Sequence, residues 1–402
     1  MTATPDRPAP MTWTRLEPHD VPVLVHLGRF RGASGVEEVH LAAEPTSLAD
    51  FSVQLKWLHR AYLQALDLIG VSDQATILRR FFCSDLPSQT CVLETDPFSN
   101  PQQTADPFAA SGVGQPPAPP AHVALWAYLI KDPHGALEKK RLGDSLSLRR
   151  GRLTHYWTPG LAGPTHDDVA RQTSGILETY AAFLRRNDLS LAHNLIRTWF
   201  FVGNIEANYG EFVDARRRFF LQHGLTPQTH YIASTGIEGA NAAPAAKVAL
   251  DAYAIGGLSP EQVRYVKTLD HMCPTDAYGV TFERAATVSY RDRSHVFVSG
   301  TASIGDKGDV LHSGNLSRQF ARTAENIEAV LVQAGASPEH LSSLTAYVRD
   351  AGDESVVRRG VRDRFGNVPL ILVAARVCRP AWLVEIEGQA IVPGSRDDLP
   401  PF

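Results

Sequence analysis

The chain has 402 residues, of which 44% are hydrophobic and 20% charged, with a formal net charge of −4. Such a length holds two or three domains of ordinary size, and the balance is that of a soluble globular protein. The lack of a basic block or tail excludes nucleic acid and anionic membranes as partners.

No apolar run reaches membrane-spanning length, and the N-terminus has no basic-then-apolar signal pattern, so a cytoplasmic protein is expected. Cys83, Cys91, Cys273 and Cys378 are widely spaced, without a C-x-x-C or a His pair at ligand spacing. A structural zinc site and a disulfide framework are therefore not expected.

In chain order, a helix is predicted at about 48–69, then a strand at 76–82 and another at 88–95. The stretch 97–120 is rich in Pro, Gly, Ser and Ala and reads as a long exposed loop, either a lid over a site or an insertion without a role. A strand at 123–130 follows. Next come two opening strands and a helix at 166–187, whose Ile176, Leu177, Tyr180, Phe183 and Leu184 recur at helical spacing. A strand at 194–201, a helix at 208–223 and strands near 229–235 and 246–255 complete that stretch. The last third repeats the order, with strands at 281–290 and 294–301, a helix near 315–335, a strand at 344–348, a helix near 353–365 and strands at 369–377 and 382–392.

A fixed order of elements repeated along a chain settles the architecture. The predicted fold is α+β, with three tandem repeats over 1–135, 136–262 and 263–402. The first is degenerate, because only Ser84-Asp85-Leu86-Pro87 stands where its second helix belongs. Three such sheets can pack around a common axis, so that one chain imitates a symmetric trimer. A monomer is then sufficient.

The closing strands are 123–130, 248–255 and 384–391. Where the first two place Ala124 and Ala249, the third places Glu385. Strand alternation puts Glu387 on the same face as Glu385. Asp251 holds Glu387's place in the second repeat, which gives that position a structural reading.

The ending Leu383-Val384-Glu385-Ile386-Glu387-Gly388 resembles the RidA-like (chorismate-mutase-like) fold of small trimeric proteins. In its deaminating members an arginine on the preceding strand holds the substrate carboxylate. Here that stretch reads Val368-Pro369-Leu370-Ile371. A fuller likeness is to the chorismatase family, carried by Arg197-Thr198-Trp199, Ser234-Thr235-Gly236-Ile237-Glu238-Gly239-Ala240, Cys273-Pro274-Thr275-Asp276-Ala277-Tyr278-Gly279, Phe282-Glu283-Arg284-Ala285 and the closing strand. These segments cover roughly residues 190–392.

The resemblance implies a catalytic acid at Glu385. It also implies that Gly239 and Cys378 mark the type forming 3-hydroxybenzoate and pyruvate from chorismate. Glu238, beside that glycine, keeps open 4-hydroxybenzoate alone or mixed, and the hydrolytic dihydroxycyclohexadiene carboxylate is a further alternative. Two other classes fit the same residues: a RidA-type hydrolase of enamines or imines, and a non-catalytic protein that binds a small acid.

Releasing pyruvate from chorismate requires a proton on the terminal methylene carbon, and an exposed glutamate, with a pKa of about 4.3, is ionised at neutral pH. Two partly buried carboxylates at the spacing of Glu385 and Glu387 raise each other's proton affinity. No metal or redox cofactor is required. Cys378 is read as a residue that shapes the pocket rather than a nucleophile, with a buried small hydrophobe as the alternative. Gly239 is either a turn residue with positive φ or a gap admitting the ring.

The dianion needs cationic anchors, and the planar fork of arginine suits carboxylates. Arg217 and Arg284 are the first candidates, then Arg197, with Arg358 and Arg359 behind them. Surface ion pairing is their alternative fate. Tyr278 and Tyr209 are candidate hydroxyl donors to the substrate, and His271 is read as structural.

Overall fold

A computed structural model describes residues 11–163, 168–267, 271–275 and 279–402. In chain order the first unit comprises β1 (Thr12–Leu16), β2 (Val23–Arg31), β3 (Glu37–Pro45), α1 (Phe51–Leu68), β4 (Thr76–Cys83), α2 (Leu86–Thr95), β5 (Ala109–Gly114) and β6 (Val123–Lys131). The second comprises β7 (Glu138–Leu142), β8 (Ser145–Arg150), β9 (Leu153–Ala162), α3 (Val169–Arg186), the single turn α4 (Leu191–Asn194), β10 (Leu195–Val202), α5 (Ile205–Gln222), β11 (Ala233–Glu238) and β12 (Val248–Gly256). The third comprises β13 (Val263–Val266), β14 (Ala285–Ser289), β15 (Arg293–Ala302), α6 (Leu316–Gln333), β16 (Leu341–Val348), α7 (Glu354–Phe365), β17 (Leu370–Ala374) and β18 (Val384–Pro393).

Each unit builds one six-stranded sheet of the same topology, β1-β2-β3-β6-β4-β5, β7-β8-β9-β12-β10-β11 and β13-β14-β15-β18-β16-β17. Within each, the last pair named is parallel and the other neighbours are antiparallel. This is the predicted α+β fold of three tandem RidA-like units. The helices bury one stripe each, as with Leu55, Leu58, Tyr62 and Leu66 of α1 and Ile327, Val330 and Leu331 of α6.

Three expectations are corrected. Residues 88–95 form helix α2, not a strand. Leu86, Gln89 and Leu93 recur at helical spacing on its buried side, and the Gln89 side chain caps the N-terminus by accepting from the Asp85 amide (3.0 Å). The missing helix of the first unit is therefore present. The stretch 97–120 is not one exposed loop, since β5 lies within it and pairs with β4 as β11 pairs with β10. Units two and three also open with three strands rather than two, and the first opens with β1, β2 and β3, where no strand was predicted. Strands β1, β7 and β13 are short edge strands in which Val266 alone is buried, so little in their residues betrays them.

The units close a ring. Backbone pairs join Gly114 to Ala240, Glu283 to Ile232 and Ala374 to Pro116. Each interface also holds a buried ion pair: Arg80–Asp251 (2.8 Å) between units one and two, Arg197–Glu387 (2.6 Å) between two and three, and Arg293–Glu38 (2.6 Å) between three and one. Removing one partner of such a pair leaves an uncompensated buried charge, at a cost of about 3–5 kcal/mol. No helix among the described residues is long and apolar enough to cross a membrane.

Candidate active site

Strand β18 lies between β15 and β16, with Glu385 paired to Ala302 on one side and Tyr347 on the other. Val384 and Ile386 enter the hydrophobic core together with Ala324 and Ile327 of α6. Glu385 and Glu387 point the other way, into the interface with unit two, where both are buried. Their surroundings differ. Glu387 accepts from Arg197 Nη2 (2.6 Å), from Trp199 Nε1 (2.8 Å) and from the Thr235 hydroxyl, so its carboxylate is fully engaged.

Glu385 instead faces a cleft with about 670 Å³ of empty space, mouth included. Burial, and then the neighbouring Glu387 charge, push its pKa up from 4.5 to about 8, against the smaller opposing pull of Arg197 and Arg284. The carboxyl group is therefore mostly protonated at neutral pH.

Gly300 makes room for this side chain. The register of β15 against β18 shifts between Val298 and Thr301, and a Cβ at position 300 would lie 2.0 Å from Glu385 Oε1. The Gly300 amide donates to Thr235 Oγ1 (2.9 Å), which also accepts from Arg197 (2.6 Å). One threonine thus ties the Glu387 ion pair to the backbone beneath Glu385.

Three guanidiniums reach the cleft: Arg216 from α5, Arg284 ahead of β14 and Arg379 from the loop before β18. Arg216 is held by Thr281 Oγ1 (3.0 Å), Arg284 by the Cys273 carbonyl (3.0 Å) and Arg379 by the Gly308 carbonyl (2.7 Å). A neutral carboxylic acid beside fixed cations suits protonation of a bound anion. Cys378 also lines the cleft. Burial and the Glu385 charge push its thiol up to about 12, and the Tyr209 side chain hydrogen-bonds to the sulfur. It is therefore a neutral thiol rather than a nucleophile.

Glu385, Cys378, Arg284 and Tyr209 line one cleft, and the other candidates among the described residues do not. Arg217 points to solvent, paired with Asp214 (2.8 Å), because helix phase turns its neighbour inward. Phe212, Arg216, Phe219 and Phe220 share the buried face of α5, a signal already present in the spacing. Arg197 is consumed by Glu387, and Arg358 pairs with Glu44 (2.7 Å) and Glu354. Gly239 is outside the cleft, where a Cβ would lie 2.9 Å from Phe201 Cβ and 3.3 Å from Val113, and it is not among the positive-φ glycines. It is a packing gap at the interface with β5. Tyr278 lies outside the described residues. His271 packs against Arg322, whose guanidinium reaches its ring nitrogen (2.9 Å) and carbonyl (2.7 Å).

The corresponding cleft between units one and two shows why one interface stands apart. By register, Ala249 takes the place of Glu385, Ser111 that of Thr235, Gly160 that of Gly300 and Asp144 that of Arg284. An acid stands there in place of a cation, and a methyl in place of the carboxyl. At the third interface Ala124 and Ile371 hold the positions of Glu385 and Thr235.

The Endoribonuclease L-PSP family matches residues 285–392, from β14 to the end of β18. RutC family proteins of Pyrococcus abyssi and Pyrococcus horikoshii are 32% and 30% identical to this chain over 96 residues, which are 24% of this chain and 76% of each relative. The chain belongs to the RutC family. The segment that matches the Endoribonuclease L-PSP family lies in the unit that carries Glu385. A crystal structure of a chorismatase superposes with a TM-score of 0.59 at 18% identity, covering 79% of this chain and 94% of that one. The fold of this chain is thus shared across almost the whole length of that protein.

Proposed function

We propose that this protein is a chorismatase that converts chorismate into pyruvate and 3-hydroxybenzoate. The observation that carries the reading is Glu385, a buried carboxyl protonated at neutral pH that shares a cleft with Arg216, Arg284 and Arg379. The likeness of fold to a chorismatase supports it.

Chorismate carries one carboxylate on its ring and one on the enolpyruvyl arm, and the three guanidiniums lining the cleft support the binding of both. Glu385 hands its proton to the terminal methylene, leaving an oxocarbenium ion whose charge the now ionised carboxylate stabilises. The ring hydroxyl beside the ether attacks the carbon bearing it, and the carbon–oxygen bond breaks toward the ether oxygen, which becomes the keto oxygen of pyruvate. The hydroxyl proton returns to Glu385. Opening of the resulting three-membered ring, with loss of one ring hydrogen as a proton, gives the phenol. Pyruvic and hydroxybenzoic acids account for every atom of chorismate, so no water is consumed.

Cys378, one of two residues on which the product type was judged, lies in the cleft. Gly239, the other, does not. Water entering in place of the internal hydroxyl would give the diol instead. Incubating the purified chain with chorismate, following pyruvate and separating the aromatic products tests the reading. Pyruvate with 3-hydroxybenzoate is expected, and the absence of pyruvate would refute it. Cys378→Ala is expected to raise the diol fraction, and Gly239→Ala alone to leave it unchanged.

A further inference from the structure

The loop 375–383 between β17 and β18 carries Cys378, Arg379 and Trp382 to the cleft. Its path is set by a side chain outside the cleft. Arg349, just beyond the end of β16, donates from Nε to the Trp382 carbonyl (3.0 Å) and from Nη2 to the carbonyls of Val377 and Arg379 (3.2 Å each). Its remaining arm reaches Glu206 Oε1 of α5 in unit two (2.8 Å). The Arg349 amide also donates to the Leu383 carbonyl (2.9 Å).

The near end of the loop is tied to the same unit. Glu238 Oε2 accepts from the Arg376 amide (3.0 Å), and the Glu238 amide donates to the Arg376 carbonyl (3.2 Å). Glu238, whose role the sequence left unassigned, is thus the second anchor. Three carbonyls of one loop converging on one group require the fixed fork of a guanidinium, which an ammonium on a flexible stem does not reproduce.

We propose that Arg349 is a positioning residue of the cleft, whose guanidinium, clamped across the interface by Glu206, holds the 375–383 loop so that Arg379 and Cys378 stand against Glu385. Its catalytic consequence rests on the chorismatase reading, while its structural consequence does not.

The test uses the full chain with Arg349→Met, Arg349→Lys and Glu206→Gln. Backbone amide hydrogen exchange over 375–383, measured without substrate, is expected to quicken about tenfold or more in both Arg349 variants while α1 and α3 keep wild-type protection. With chorismate, KM is expected to rise about tenfold and the diol fraction to grow, with kcat less affected. Glu206→Gln, which keeps the carbonyl bonds, is expected to move both readouts in the same direction by less. It decides the matter if the Arg349 variants do not fold.

Wild-type exchange in Arg349→Met, or in Glu206→Gln where that variant decides, overturns the proposal, as does full rescue by lysine. Faster exchange with unchanged KM overturns the catalytic part. A wild-type chain that leaves chorismate untouched refutes the function above, and the exchange measurement still decides whether Arg349 holds the loop.

Discussion

Replacing Glu385 by glutamine removes an acidic proton while keeping the shape of the side chain in the space that Gly300 leaves open. The magnitude follows from proton occupancy. At pH 7 a glutamate at its ordinary 4.5 is protonated in about one molecule in 300, whereas at about 8 roughly nine in ten carry the proton. Burial and the Glu387 charge thus enlarge the population of active acid by more than two orders of magnitude. Loss of a positioned general acid is expected to lower kcat by about 10²–10⁴. In the wild type, kcat should hold through neutral pH and fall as pH rises through about 8, where the acid ionises.

The same group leaves a mark on stability. Between about 4.5 and about 8 the folded chain keeps a proton that the unfolded chain has released, so the wild type loses stability as pH rises through that window and no more above it. Glutamine carries no such dependence. The variant should therefore gain on the wild type, on the order of a few kcal/mol, between about pH 5 and about pH 9. Turnover of chorismate across that range, with denaturant melts on both proteins, tests both halves. Near wild-type kcat in Glu385→Gln, or a stability difference indifferent to pH, would refute the reasoning.

Arg284→Ala and Arg216→Ala each remove a hydrogen-bonding cation from the cleft, so KM for chorismate should rise about 10- to 150-fold, while Arg217→Ala, on the solvent face, should leave both kinetic parameters unchanged. Gly300→Ala drives a methyl group into the Glu385 carboxyl and should lower kcat about a hundredfold by misplacing it. Circular dichroism should show the fold retained, and unaltered turnover would contradict the packing argument. Glu387→Gln leaves the Arg197 guanidinium buried without its counter-charge and should cost about 3–5 kcal/mol in urea unfolding; an unchanged midpoint would speak against the ion pair.

The helices with strong apolar stripes, α1, α3 and α6, were legible because each buries one face and so carries a period in its residues, and the closing strands β6, β12 and β18, buried on both faces, were legible as copies of one another. Helix α2 was not. It is short, and its Thr90, Cys91 and Val92 favour strand, a local preference overridden by the packing of Leu86 and Leu93. Strand β5 hid in a Pro- and Gly-rich stretch because it is held by its parallel partner β4 rather than by its own composition. Arg216 lies on the helical phase of Phe212 and Phe219, and Arg217 falls off it.

By itself the sequence determined three copies of one α+β unit and the single carboxyl that breaks their symmetry, since repeats and alternation are properties of order along a chain. Only the tertiary structure decided which cations meet that carboxyl, that Glu387 is spent on Arg197 while Glu385 is not, and that the cleft lies between units two and three. Arg197 and Arg216 reach the two glutamates across an interface from more than a hundred positions away. Proton affinity depends on the desolvation and charge found there, which no local pattern records.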